Sequence, residues 1–220
     1  MSVPKILHFV WVGDDAKRPE GCIDSWRRLN PAYEVRIWGN DDLLGRRWVN
    51  GKHMRAMATQ ELCGVADLMR YEILYLHGGL ALDADSLCQR PLEDWIMEPD
   101  DFTCWSNELF LPGLLANGVM GAAPRSAYIA GIIDHLQQQT TVVNDRAWKT
   151  TGPLVTTHIW QKYRYPLTVW PSHLFLPDFH SGPDYDGNGP IFARQFYGST
   201  YDGLNGGDAY ETIARYGLEA

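Results

Sequence analysis

The sequence has little cysteine, a deficit of positive charge and no long apolar run. Its four cysteines in 220 residues are widely spaced, and without a Cys-x-x-Cys pair they predict reduced thiols rather than a zinc site or a disulfide framework. The 19 basic residues against 27 acidic ones give a net charge of -8, which argues against a general binder of nucleic acid or anionic membranes.

The N-terminal apolar segment, Ile6 to Val12, is too short to span a membrane. It also lacks the charged start and small-residue cleavage site of a signal peptide. The sequence therefore predicts no transmembrane segment and a cytoplasmic protein, with peripheral association with the inner face of the membrane left open.

The size and patterning of the chain predict one α/β domain over residues 1–220, since 45% of the residues are hydrophobic and single α/β domains reach this length. The segment Ile6–Val12, closed by Gly13, predicts a first strand. A helix near Gly21–Leu29 and a strand over Tyr33–Trp38 complete a β-α-β unit with parallel strands. Later segments predict a strand near 118–122, a helix near 127–139 and a strand near 167–170.

The segment from residue 65 to residue 85 carries the most information. Apolar residues recur at helical spacing over 65–76, and the pair Gly78-Gly79 is typical of a tight helix end. The apolar run Leu80–Leu82 then predicts a short buried strand, followed by Asp83 and Asp85.

Asp83 and Asp85 are candidate metal ligands. In an extended backbone they would point to the same side, because strand side chains alternate with period two. Carboxylates suit Mg²⁺ or Mn²⁺, and a site with one or two of them leaves coordination positions for substrate phosphates. The alternative is a strand end with two solvated carboxylates.

Residues 67–85 follow the pattern Asp-Leu-x-Arg-Tyr-x-x-Leu-Tyr-x-x-Gly-Gly-x-x-x-Asp-x-Asp. This resembles the signature of sugar transferases with a DXD motif. The pattern is similar to that of glycosyltransferase family 32, which contains the yeast initiating mannosyltransferase and bacterial capsular polysaccharide enzymes, and more distantly to the clostridial glucosylating toxins. Segments 4–13 and 25–33 also resemble that family, as do 117–121 and 151–153 more weakly.

The resemblance implies a GT-A fold, a Rossmann-like mixed and mostly parallel sheet flanked by helices. It implies retaining transfer of a hexose from a nucleoside diphosphate sugar, with UDP donors favoured and GDP-mannose next, to a glycan or lipid-linked saccharide. Four residues would form the catalytic set. Asp85 would bind Mn²⁺ or Mg²⁺ directly, Asp83 would bind it through water or contact the ribose or sugar, and Asp67 and Arg70 would grip sugar hydroxyls and phosphate.

Further donor contacts follow from the same resemblance. Trp11 would stack on the base while backbone groups around Val10 read its edge, and Asn117 would join them. Gln195 stands where the family carries a histidine near the metal, and its carbonyl oxygen would be a neutral ligand. Tyr201 replaces a tryptophan and would donate to phosphate.

Other interpretations remain open from the residues alone. Asp67 and Arg70 could form a surface ion pair, and Trp11 could be a core residue. Residues 184–195 follow the calcium-loop spacing of an EF-hand with Gln195 in the twelfth place, although a plain turn over Asp184–Gly189 is the simpler interpretation.

Two other functions are alternatives. A haloacid-dehalogenase-type sugar phosphatase also carries an Asp-x-Asp motif after an apolar strand, although its usual Thr or Val is Leu87 here. A catalytically degenerate protein that binds nucleotide sugar or carbohydrate is the other, because Ala81 stands where related sequences carry Tyr.

Overall fold

The computed structural model describes residues 2–179 and 184–198. Its strands are β1 Ile6–Val10, β2 Glu34–Trp38, β3 Gly79–Leu82, β4 Ser86–Cys88, β5 Asp101–Trp105, β6 Leu115–Ala122, β7 Thr168–Trp170 and β8 Ala193–Gln195. Its α-helices are α1 Glu20–Leu29, α2 Asn40–Gly45, α3 Gly51–Met57, α4 Leu62–His77, α5 Ala127–Gln138, α6 Ala147–Thr150 and α7 Pro153–Tyr163. Short 3₁₀ helices occupy Asp15–Lys17, Asp94–Met97 and Ser172–Leu174.

The central sheet has six strands in the order β2-β1-β3-β6-β5-β7. The pairs β1–β2, β1–β3 and β5–β7 are parallel, whereas β6 runs antiparallel to both of its neighbours. The sheet is therefore mixed and mostly parallel, as the resemblance implies. A separate antiparallel pair, β4 and β8, lies beside it.

Apolar residues cover both faces of this sheet. In β1, Leu7 and Phe9 belong to one buried cluster, and Val10 belongs to the other. The first cluster contains Trp26 of α1, and the second contains Tyr71 of α4. The inner strands β1 and β3 are thus buried on both sides between helices, which explains why β3 reads as a continuous apolar run.

The turn between α4 and β3 fixes where β3 begins. Gly78 and Gly79 have φ angles of +62° and +99°, which confirms the tight helix end that the sequence predicts. A Cβ on Gly79 would lie 2.7 Å from the carbonyl oxygen of Ile6, so glycine is required on both conformational and steric grounds. The turn thereby sets the register of β3 against β1 and the position of the residues that follow β3.

The predicted opening β-α-β unit, the helix over 65–76 and the later elements near 118–122, 127–139 and 167–170 are confirmed. The first strand is shorter than predicted. β1 ends at Val10. The N–H of Trp11 still donates to the carbonyl oxygen of Trp38, the last residue of β2, at 2.9 Å, and beyond it the chain leaves the sheet and turns at Gly13, where φ is +119°.

All four cysteines are free, as predicted. Among the described residues no helix is long and apolar enough to cross a membrane.

Candidate active site

The predicted site residues gather where β3 ends, beside the first half of β6. Asp83 directly follows β3, and its N–H donates to the carbonyl oxygen of Gly118 in β6 at 2.9 Å. Its own carbonyl oxygen accepts from the N–H of Ser86 at 3.0 Å. Residues 83–86 therefore form a tight turn, and the expectation that Asp83 and Asp85 share one side of an extended strand is wrong. The turn, and not strand periodicity, brings the two carboxylates together.

Strand β8 brings Gln195 to these carboxylates. β8 pairs with β4, which places Gln195 opposite Ser86, one residue after Asp85. The side-chain Nε2 of Gln195 donates to Asp85 and, at 3.3 Å, to Oδ2 of Asp83. The N–H of Gly198 donates to the second oxygen of Asp85 at 2.7 Å. The structure thus unites the three predicted metal ligands, although their binding of a metal stays a prediction.

The charges of this group fit a divalent cation. Burial, and then the neighbouring charge of Asp83, raise the pKa of Asp85 to about 6. The Oε1 atom of Gln195 is buried and has no hydrogen-bond partner among the described residues. A cation would offset the carboxylate repulsion and would give that oxygen a partner once the amide turns. Nowhere among the described residues, this site included, do three or more His, Cys, Asp or Glu side chains form a group that could hold a metal, so the third protein ligand here would be the Gln195 amide.

Arg70 connects this group to α4. Its Nη2 donates to Asp83, and its Nη1 lies 3.3 Å from Oδ1 of Asp67 and 2.6 Å from the carbonyl oxygen of Asn117. The side chain of Arg70 is 3% exposed and that of Asp67 is 12% exposed, so a surface ion pair is excluded. Although burial opposes its charge, the carboxylates of Asp83 and Asp67 raise the pKa of Arg70.

Asp67 lies at the centre of a buried polar network. Its Oδ1 accepts from Asn117 Nδ2 at 2.6 Å, and its Oδ2 accepts from Thr151 Oγ1 at 3.1 Å. Burial raises the pKa of Asp67 to about 6, against the opposing effect of Arg70. The hydroxyl of Tyr71 accepts from Asn117 Nδ2 at 3.2 Å and donates to the Thr151 carbonyl oxygen at 2.6 Å.

Sequence reasoning missed Tyr71 and Thr151 as parts of the site. Both lie within segments that resemble the sugar transferases, and that is the signal that could have identified them.

The predicted base-contacting residues lie at the carboxyl end of β1, which runs parallel to β3 and ends on the same side of the sheet. Val10 is buried at the end of β1, and Trp11 is half-buried with its Nε1 donating to the Asp14 carbonyl oxygen at 3.0 Å. Stacking of Trp11 on a base stays a prediction. Tyr201 lies outside the described residues.

The calcium-loop interpretation disagrees with the structure. Gln195, its twelfth position, lies in β8 against Asp85 and not on the loop. Over residues 184–189 the chain turns tightly instead, and the Tyr185 hydroxyl accepts from the N–H of Gly189 at 2.9 Å.

Comparison with known proteins bears directly on this arrangement. Residues 16–101 match the family model described as a glycosyltransferase sugar-binding region containing a DXD motif. Over these residues the chain is similar to DXD-type glycosyltransferase sugar-binding regions. The match includes Asp67, Arg70 and the Asp83–Asp85 couplet, which is the DXD motif, whereas Asn117 and Gln195 reach the DXD site from outside it.

Curated proteins similar to this chain include inositol phosphoceramide mannosyltransferase 2 of Schizosaccharomyces pombe. The two are 28% identical over 179 residues, which cover 75% of this chain and 48% of the relative. The chain therefore spans about half the length of the curated relatives it matches.

Solved structures with the same fold include the PaToxG glycosyltransferase, with a TM-score of 0.57, 14% identity and coverage of 74% of this chain and 69% of that one. The galactosyltransferase LgtC, in complex with donor and acceptor sugar analogues, matches with a TM-score of 0.55 and 12% identity over 98% of this chain and 96% of its own. The GT-A fold is confirmed.

Proposed function

We propose that this chain is a metal-dependent, retaining glycosyltransferase that moves a hexose from a nucleoside diphosphate sugar to a hydroxyl of a glycan or lipid-linked saccharide. The observation that carries the proposal is the convergence of three side chains where β3 of a GT-A sheet ends. Asp83 and Asp85 lie inside the matched DXD region, and Gln195 reaches them from outside it. A haloacid-dehalogenase-type phosphatase does not account for that match.

Asp83, Asp85 and the amide oxygen of Gln195 would hold Mn²⁺ or Mg²⁺, which are hard cations that prefer oxygen ligands. When bound, the metal would supply positive charge for the diphosphate as it departs. Gly198 and Gln195 orient Asp85 through hydrogen bonds, and Arg70 orients Asp83. The contacts from Gly198 and Arg70 preorganise the couplet, so that the turn of the Gln195 amide is the main rearrangement when the metal and donor arrive.

The donor sugar would lie beside Asp67, with the base near Trp11. The curated relative is named as a mannosyltransferase that acts on inositol phosphoceramide, so a mannosyl donor and a lipid-linked acceptor belong in the first tests. UDP-sugars remain the favoured donors and GDP-mannose the next.

The carboxylates of the site bind and position the metal and the donor, and none of them is needed as a general base. Asp67, Asp83 and Asp85 each accept hydrogen bonds from side chains, and Asp85 accepts one from the backbone as well. A same-face transfer needs no separate strong base, because an oxygen of the leaving phosphate takes the proton of the acceptor hydroxyl. Retention is therefore the stereochemistry that we propose.

A thermal-shift panel of UDP- and GDP-sugars with and without Mn²⁺ tests the function, followed by a transfer and hydrolysis assay on the best binder. We expect a shift that needs both nucleotide sugar and metal. Asp85→Asn should abolish the metal-dependent part, while Asp186→Asn in the exposed loop should keep it. An unchanged shift in Asp85→Asn would show that the metal site is assigned wrongly.

The same assays separate the alternatives. Release of inorganic phosphate from a sugar phosphate without any nucleotide would support the phosphatase. Tight binding of nucleotide sugar with no turnover in the presence of acceptors would support the degenerate binding protein.

A further inference from the structure

The turn between α6 and α7 closes over Asp67. Thr151, which begins this turn, is fully buried, and its hydroxyl lies 3.1 Å from Asp67 Oδ2. Its carbonyl oxygen accepts the hydroxyl proton of Tyr71 at 2.6 Å. Two hydrogen bonds in opposite directions thus connect the turn to α4, the helix that carries the donor-sugar residues.

The Thr151 hydroxyl has two possible acceptors, because it also lies 3.1 Å from the carbonyl oxygen of Ala147. That carbonyl already accepts the N–H groups of Thr151 and Gly152 at 2.8 and 2.9 Å, which occupy both of its lone pairs. Asp67 Oδ2, in contrast, has no other hydrogen-bond donor among the described residues. A buried carboxylate gains more from the single hydroxyl proton than a satisfied carbonyl does, so the proton belongs to Asp67.

Gly152 allows this close approach. A Cβ at position 152 would lie 3.2 Å from Asp67 Oδ2 and 2.9 Å from the Cα of Trp148. Any larger residue would push the turn away from the carboxylate. The sequence Thr151-Gly152 therefore combines a hydrogen-bond donor with the space that the donor needs.

We propose that Thr151 is a positioning residue, whose hydroxyl fixes the carboxylate of Asp67 in the orientation that receives the donor sugar. This inference rests on the proposed function, in which Asp67 contacts the sugar. Asn117 and Arg70 hold Oδ1, and Thr151 holds Oδ2, so that the carboxylate plane is defined by contacts at both oxygens. Without Thr151 the carboxylate can rotate about the contacts at Oδ1.

Thr151→Val tests this role, because valine keeps the shape of threonine and removes the hydroxyl. A hydrogen bond to a charged group corresponds to about a tenfold to hundredfold change in an equilibrium, so we expect kcat/KM for the donor to fall by about that factor. Thr151→Ser should recover most of the loss. The matched control is Thr150→Val, whose hydroxyl lies 3.4 Å from the carbonyl oxygen of Arg146, and it should leave kcat/KM unchanged.

A direct titration of the Asp67 carboxyl by carbon NMR gives a readout that does not depend on turnover. The hydrogen bond from Thr151 favours the ionised form, so Thr151→Val should raise the pKa of Asp67 further. The ionisable groups that face Asp67 are the same in the wild type and in Thr151→Val: Cys63, Arg70, Tyr71 and Asp83.

An unchanged Asp67 titration in Thr151→Val, or an unchanged kcat/KM, would overturn the positioning role. If the wild-type chain binds no nucleotide sugar at all, the proposed function fails instead. The NMR titration then still decides whether Thr151 holds Asp67.

Discussion

Gln195 donates its side-chain amide to the carboxylate of Asp85 across 110 positions of the sequence. The NH₂ group therefore lies between two carboxylates, where a cation would lie, while the carbonyl end of the same amide is buried without a partner among the described residues. The two ends of a primary amide have nearly the same size, so a half-turn of the side chain exchanges donor for acceptor. Gln195 can thus donate hydrogen bonds to Asp83 and Asp85 in the metal-free protein and bind the metal through its carbonyl oxygen in the metal-bound protein.

Substitution of Gln195 should change metal affinity in a direction set by the charge of the new residue. Gln195→Glu adds a third carboxylate, so we expect Mn²⁺ to bind about tenfold tighter or more and the metal-free protein to melt at a lower temperature. Gln195→Leu removes the oxygen ligand and should weaken Mn²⁺ binding by at least about tenfold. Calorimetric titration with Mn²⁺ and thermal melts measure both effects.

Gln138→Glu, on the exposed face of α5, is the control for the added charge and should bind Mn²⁺ as the wild type does. Wild-type affinity in Gln195→Leu would remove Gln195 from the metal site.

Most of the central part of this site can be predicted from the sequence. Helix α4, its glycine end, the buried strand β3 and the couplet lie within residues 62–85, so local periodicity and turn chemistry predict them. The roles of Asp67 and Arg70 required the family resemblance as well, since spacing alone favours a surface pair. Their burial comes from packing under β6 and the α6–α7 turn, which no local pattern shows.

The rest of the site depends on contacts between distant segments. Thr151 reaches Asp67 over 84 positions, and β8 reaches the couplet through a strand pair of only three residues. Such short elements carry too little periodicity to be predicted, as with β4, α2 and α6. The turn at residues 83–86 was missed because Asp-Ala-Asp continues an apolar strand in sequence and contains no glycine or proline.

Loss of Arg70 should destabilise the protein strongly. Arg70 is buried between Asp67 and Asp83, and removal of one partner of a buried ion pair leaves uncompensated charge. We expect Arg70→Met to lower the free energy of unfolding by about 3–5 kcal/mol, and Arg70→Lys by less, because lysine keeps the charge but not the forked geometry. Urea denaturation measures the change.

Arg27→Met provides the contrast. Arg27 pairs with Asp24 on the exposed side of α1, and surface ion pairs contribute about 1 kcal/mol or less. An equal decrease in the free energy of unfolding in Arg70→Met and Arg27→Met would contradict the buried ion pairs that the structure gives Arg70.

Metal binding should depend on pH through Asp85. Its pKa is raised to about 6 in the folded chain, above the ordinary value of 3.8, so the stability that this group contributes to the metal-free protein is complete below pH 3.8 and is lost as the pH rises through 6. Protons and metal compete for the same carboxylate.

The melting shift caused by Mn²⁺ should therefore be small at about pH 5 and near its maximum above about pH 7. Melts across this range, with Asp85→Asn as the non-titrating reference, test the expectation. A shift independent of pH would show that the group that binds Mn²⁺ is not Asp85.

Gly118 should be required for the position of the Asp83 carboxylate. A Cβ on Gly118 would lie 2.4 Å from Asp83 Oδ2, closer than any real contact, and the carboxylate would have to move away from Gln195. Because the carboxylate is the movable partner, we expect Gly118→Ala to cost little stability, about 1 kcal/mol. We expect it to reduce nucleotide-sugar turnover and Mn²⁺ affinity by about tenfold or more, on the order of one lost ligand, with a correspondingly smaller Mn²⁺ melting shift.

The matched control for Gly118→Ala is Gly21→Ala in α1, where nothing lies within 4 Å of the added Cβ. There alanine should raise stability by up to about 1 kcal/mol through its helix propensity and leave turnover unchanged. If Gly118→Ala keeps full turnover and metal response, the carboxylate of Asp83 works from a different position, and its contact with Gln195 is dispensable. Loss of turnover with an intact fold would instead show that catalysis needs Asp83 where Arg70 and Gln195 hold it.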